Sequence, residues 1–128
     1  MASTAAAAAA AKSVVVRGGG LSAINMAYAA RDPAVVPAGF ARTCLEMSWP
    51  ALATWRQLSD GKRPWFEAEN ESYIYFNRGD GQWWIDSPSG AGAYVAKSDS
   101  DGPPATGWSV LPGIPKPAPV VEMHENEL

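Results

Sequence analysis

Residues 73–86 read YIYFNRGDGQWWID, and that stretch has essentially one way to fold. Aromatic and β-branched side chains on both flanks favour pleated backbone. Between them Arg78-Gly79-Asp80-Gly81 supplies the glycines and aspartate that a tight reversal needs. An antiparallel hairpin follows, with strands at Tyr73–Asn77 and Trp83–Asp86. Other segments share the signature at short, regular spacing: Ser13–Arg17 before Gly18-Gly19-Gly20, Ile24–Ala29, Pro64–Glu67, Ala93–Lys97 after the turn Ser87–Gly90, and Trp108–Leu111 as a closing strand or edge. The expected fold is mainly β, a small antiparallel meander or partly open barrel.

One or two short helices interrupt the strands. Phe40, Cys44 and Met47 fall at i, i+4, i+7 within Ala38–Met47. Ser48 is placed to cap a second helix with Pro50 in its first turn, Leu52, Trp55 and Leu58 along one side, and Gly61 as a stop. With 128 residues the chain has material for one domain, expected at 13–111. Residues 1–12 read as an Ala-rich tail, retained or else a cleaved presequence. Residues 112–128 read as a second tail, Pro-rich and extended and then acidic and disordered. Glu125-Asn126-Glu127-Leu128 only loosely echoes an ER-retention signal.

Charge narrows the function. The net charge is −3, the ten Lys and Arg form no run, and nucleic acid or anionic lipid is therefore not the expected partner. No stretch approaches the roughly 20 apolar residues of a membrane span. The one cysteine, Cys44, allows neither an internal disulfide nor a Cys-based zinc cluster. The one histidine, His124, lies in the C-terminal tail, away from any triad or metal site. Glu67, Glu69, Glu71, Asp80 and Asp86 flank the aromatic strands, as a glycosidase pair would, but read more simply as solvated turn and strand residues. Asp99-Ser100-Asp101-Gly102 lacks the downstream glutamate of a calcium loop. The Arg78-Gly79-Asp80 tripeptide reads as turn chemistry. No cofactor, metal or catalytic residue is expected, and the chain reads as a non-enzyme.

The aromatic band is the remaining candidate. Strand alternation sends Trp83 and Trp84 to opposite faces, one into the core and one outward. Tyr73, Tyr75, Trp83 and Trp84, with Asp86 and Asn77 as polar partners, therefore form a candidate platform for a sugar, a proline-rich peptide or an apolar protein surface. Alternatively, the helical segment carrying Trp49 and Trp55 covers that face.

Two resemblances bear on this. Tyr75-Phe76-Asn77 followed by Trp84 and Pro88 resembles the WW domain, which binds proline-rich peptides, but Trp65 sits too close to Trp84 and the groove's Thr and His are missing. Over most of the chain, Asn25…Tyr28, Pro37-Ala38-Gly39-Phe40, Trp55, Pro64-Trp65, Tyr73-Ile74-Tyr75, Trp83-Trp84-Ile85-Asp86-x-Pro88, Tyr94 and Pro103-Pro104…Gly107-Trp108 resemble a tryptophan-rich module of algal and other protist proteins. That resemblance implies a compact β module used as an add-on, and brings no activity with it. The expectation is a protein-interaction module, an accessory or linker subunit of a larger cytoplasmic or organellar (by preference chloroplast) assembly. Extended contacts through Pro112, Pro115, Pro117 and Pro119 would drape over neighbours. Carbohydrate or proline-rich peptide binding is the alternative.

Overall fold

The computed structural model describes residues 12–125; the residues before Lys12, with the alanine run, and those after Glu125 lie outside the described part. The strands are β1 (Lys12–Arg17), β2 (Ala27–Arg31), β3 (Trp65–Ala68), β4 (Tyr73–Asn77), β5 (Gln82–Asp86), β6 (Gly92–Lys97), β7 (Ser109–Val110) and β8 (Val120–Glu125). Between β2 and β3 stand two helices, α1 (Ala38–Glu46) and α2 (Ala51–Leu58). All described pairings are antiparallel, and the eight strands form one curled half-barrel in the order β7-β6-β5-β4-β3-β2-β1-β8. The mainly β meander expected from the strand spacing is the observed fold.

Both faces of this sheet are apolar, so it builds two cores. On the concave face Val14, Val16, Tyr28, Phe66, Ile74, Trp83, Ile85 and Tyr94 pack together. Large residues stand opposite small ones across the strands, Tyr28 against Ala68, Phe66 against Ala30 and Trp83 against Ala96, which lets the side chains interdigitate at interior density. On the convex face Trp65, Tyr73 and Tyr75 meet Phe40, Cys44 and Trp55 from the helices. Trp55 is the hub, with ring centres 5.2 Å from Phe40, 5.4 Å from Tyr75 and 6.2 Å from Trp65.

The chain beyond Leu111 departs from expectation. It is not a tail: β8 pairs with β1 along its whole length, from Arg17 opposite Val120 to Lys12 opposite Glu125, and Val121 is buried beside Val16. Val120-Val121 is a short β-branched pair in an acidic setting, and its strand character emerges only because β1 would otherwise present an open edge. Residues 112–119 run as a strap between β7 and β8. Tyr94 Oη donates to the Pro115 carbonyl (2.8 Å) and accepts from Leu21 N (2.9 Å), while Gly20 N donates to the Pro117 carbonyl (2.9 Å). Pro119 is buried, whereas Pro112, Pro115 and Pro117 are exposed on the strap's outer side. The carbonyls of Pro115 and Pro117 thus tie the strap to the chain's own domain. Val121 N donates to the Ala105 carbonyl (3.0 Å), so the chain's own loop occupies part of the free side of β8.

Smaller corrections concern the helices and β2. Ser22–Ile24 is a 3-10 turn, and β2 begins at Ala27, so Ile24 reaches the core from a turn rather than a strand. Pro50, not Ser48, stands at the α2 N-cap, without a side-chain hydrogen bond. No helix among the described residues is long and apolar enough to cross a membrane.

Candidate functional site

Both helices are amphipathic and lie on the convex face. Gly39, in the first turn of α1, lies against Tyr73: a Cβ there would stand 2.9 Å from Tyr73 Cε1 and 3.3 Å from the Pro88 carbonyl oxygen. Arg42 fastens the same helix, donating through Nη1 to Glu71 and through Nη2 to the Pro88 carbonyl, both at 2.7 Å. Thr43 Oγ1 adds a 3.2 Å bond to the Ser89 carbonyl.

The end of α1 fixes how the two helices join. Ser48 N donates to the Leu45 carbonyl (3.2 Å) and Trp49 N to the Cys44 carbonyl (2.8 Å), with Ser48 at φ +60°. This is a Schellman stop with serine where glycine is usual. It turns the chain sharply into α2 and leaves Leu45, Met47, Trp49 and Leu52 outside, at 80, 53, 50 and 46% exposure. Glu46 is the one charged residue between Leu45 and Thr54. Single exposed apolar residues are ordinary on protein surfaces, but four large ones within eight positions form a patch.

The far end of α2 is held by the β4–β5 hairpin. Arg78 donates through Nε to the Gln57 carbonyl (2.9 Å), through Nη2 to the Arg56 carbonyl (2.8 Å) and through its backbone to the Leu58 carbonyl (2.8 Å). Asp80 accepts from Trp84 Nε1 at 2.9 Å. The charges of the Arg78-Gly79-Asp80 tripeptide are thus engaged within the fold. Beside this end lies a cleft of about 510 Å³, with Trp55 and Pro33 among its apolar lining and Asp32, Arg56, Asp60 and Arg78 among its polar lining. Burial pushes the Asp60 carboxyl up, but backbone N–H groups of Arg63 and Lys62 and the Arg63 guanidinium outweigh it and hold it below the usual carboxylate range.

The residues expected to form an exposed aromatic platform are placed differently. The structure brings Tyr73, Tyr75, Asn77, Trp84 and Asp86 together on the convex face and sends Trp83 to the concave one. Tyr73, Tyr75, Trp83 and Asp86 are buried; Trp84 and Asn77 are partly buried. The helical hairpin covers this band because its own apolar side needs an apolar floor. Burial raises the phenols of Tyr73 and Tyr75 and the Cys44 thiol above their ordinary ranges. Asp86 is pushed up to about 7 by burial, opposed only in part by the Tyr73 hydroxyl. Tyr73 Oη and Asp86 Oδ1 are neighbours, yet neither has a hydrogen-bond partner of good geometry.

Of the other carboxylates named as catalytic candidates, Glu67 meets Arg31 at 3.3 Å and Glu71 meets Arg42 at 2.7 Å, and both line one open cleft together with Glu69. Arg63 takes the Asp99 and Ser100 carbonyls of the suspected calcium loop, and no cluster of metal-ligating side chains occurs among the described residues. His124 lies on β8, 3.6 Å from Glu122. The exposed corner itself was missed, because Met47 and Leu52 fall at helical spacings that also fit a buried side. Trp49, directly after the helix-stop position, is the sequence signal for it. No family model, curated protein or solved structure matches this chain.

Proposed function

We propose that the chain is a protein-interaction module without catalytic role, an accessory or linker part of a larger assembly, which meets its partner through the α1–α2 corner. The observation that carries this reading is the exposed cluster of Leu45, Met47, Trp49 and Leu52. Trp49 and Met47 are side chains of the kind that anchor interfaces, and the two leucines extend their apolar surface, on two helices whose other sides are already buried. A near-absence of charge in the cluster selects a partner protein with an uncharged apolar surface. A fully exposed Trp offers ~150–250 Å², so this cluster presents a few hundred Å², short of the roughly 800 Å² per partner of a standard interface. It therefore forms the centre of a contact whose rim is polar, rather than a self-sufficient dimer face.

The test compares wild type with a Leu45→Ser/Trp49→Ser variant, both positions being exposed. Sedimentation first establishes the state of the isolated chain, with a monomer expected. A complex purified from the native source is then rebuilt from its separated components. Supporting this reading, the variant keeps its far-ultraviolet circular dichroism and thermal midpoint but loses at least tenfold in affinity. Equal affinity of both proteins would overturn it, as would a dimer that the variant abolishes.

A further inference from the structure

We propose that the helical hairpin is a proton-controlled clasp: α1 and α2 stay closed on the sheet while Asp86 is protonated and open locally when it ionises. Such a clasp rests on the hairpin's own packing and needs no partner.

Asp86 sits at the end of β5, opposite Tyr73 of β4, on the face that α1 covers. It is 5% exposed, and its Oδ1 and the Tyr73 hydroxyl lack well-formed partners. Titratable groups around it are Tyr73 and Tyr75 from β4, with Cys44 reaching Tyr73 from α1. None of these is a cation. The nearby Arg42 guanidinium is taken by Glu71 and the Pro88 carbonyl. An ionised carboxylate here would face no free cation among these groups and would be held out of bulk solvent, which is costly in an apolar site. Opening α1 is the direct way to hydrate it, because Gly39 and Phe40 lie over the same tyrosines. β5 itself is held on both sides by β4 and β6, so the sheet need not part.

The sign follows from the folded-state value. Asp86 is raised to about 7 when buried and returns to the ordinary range near 4 when exposed. Closure is therefore favoured most below pH 4 and weakens by about tenfold per pH unit up to pH 7. Near neutrality a small change in proton activity shifts the clasp.

Amide hydrogen exchange on the full wild-type chain between pH 4.5 and 8 tests this, with protection factors corrected for intrinsic rates. Amides of Ala41–Glu46 and Trp55–Leu58 are expected to exchange through an opening lower in energy than that of β5. Their protection should fall about tenfold per unit up to pH 7 and then level off. In Asp86→Asn the helical amides should lose this slope. The proposal is overturned if wild-type helical protection is flat with pH, or if the helices exchange only together with β5. Either wild-type outcome decides the matter even if the variant fails to fold.

Discussion

At the scale of single residues, two positions show how narrowly the convex core is fitted. Gly39 leaves no room for a Cβ against Tyr73 and the Pro88 carbonyl. Its replacement by alanine gains helix propensity but overpacks the contact, and Gly39→Ala should cost about 1–3 kcal/mol in urea denaturation. Asp86 acts on the whole molecule as well as on the clasp. Because its folded value lies above its unfolded one, its contribution is complete below pH 4 and lost as pH rises towards 7. The loss is on the order of 4 kcal/mol at most. Asp86→Asn should leave the urea midpoint nearly flat from pH 4 to 7 where wild type declines; parallel curves for the two would refute this role.

At the scale of elements, each end of the helical hairpin rests on one unusual device. The α1 stop uses Ser48 at φ +60°, a region that costs a side-chain-bearing residue about 1 kcal/mol. Ser48→Gly should therefore raise stability by about 0.5–1 kcal/mol by thermal denaturation, with Trp49 still exposed to acrylamide quenching. The α2 end relies on Arg78, which satisfies carbonyls that the helix leaves open. Arg78→Ala should lower stability by about 1 kcal/mol and increase exchange in residues 55–58 ahead of α1.

At the scale of the whole molecule, completion of the half-barrel sheet depends on residues that read as a tail. Tyr94 ties the strap to the body through two hydrogen bonds. Tyr94→Phe should cost about 1–3 kcal/mol, since Leu21 N then lacks its acceptor. A chain ended after Leu111 loses β8, uncovers Val14 and Val16, and leaves β1 as a free hydrophobic edge. Such a chain should bind hydrophobic dyes and lose its near-ultraviolet circular dichroism; a cooperative native-like unfolding transition would show the strap to be dispensable.

Sequence by itself determined the strands around the Arg78–Gly81 hairpin, the existence of both helices and the division of Trp83 and Trp84 between two faces. These follow from side-chain alternation, turn chemistry and helical period, all of which act over a few neighbouring residues. Only the tertiary structure decided that both faces of the sheet are cores, that Tyr73, Tyr75 and Asp86 are floor rather than platform, and that Val120–Glu125 completes the sheet. A strand next to an open hydrophobic edge is stabilised by that edge, over a hundred positions away in sequence, and leaves little local trace. The exposed corner is of the same kind: Met47 and Leu52 satisfy a helical period equally well inside or out. The sharp turn at Ser48, together with the aromatic floor already filled by Phe40 and Trp55, sends them outward.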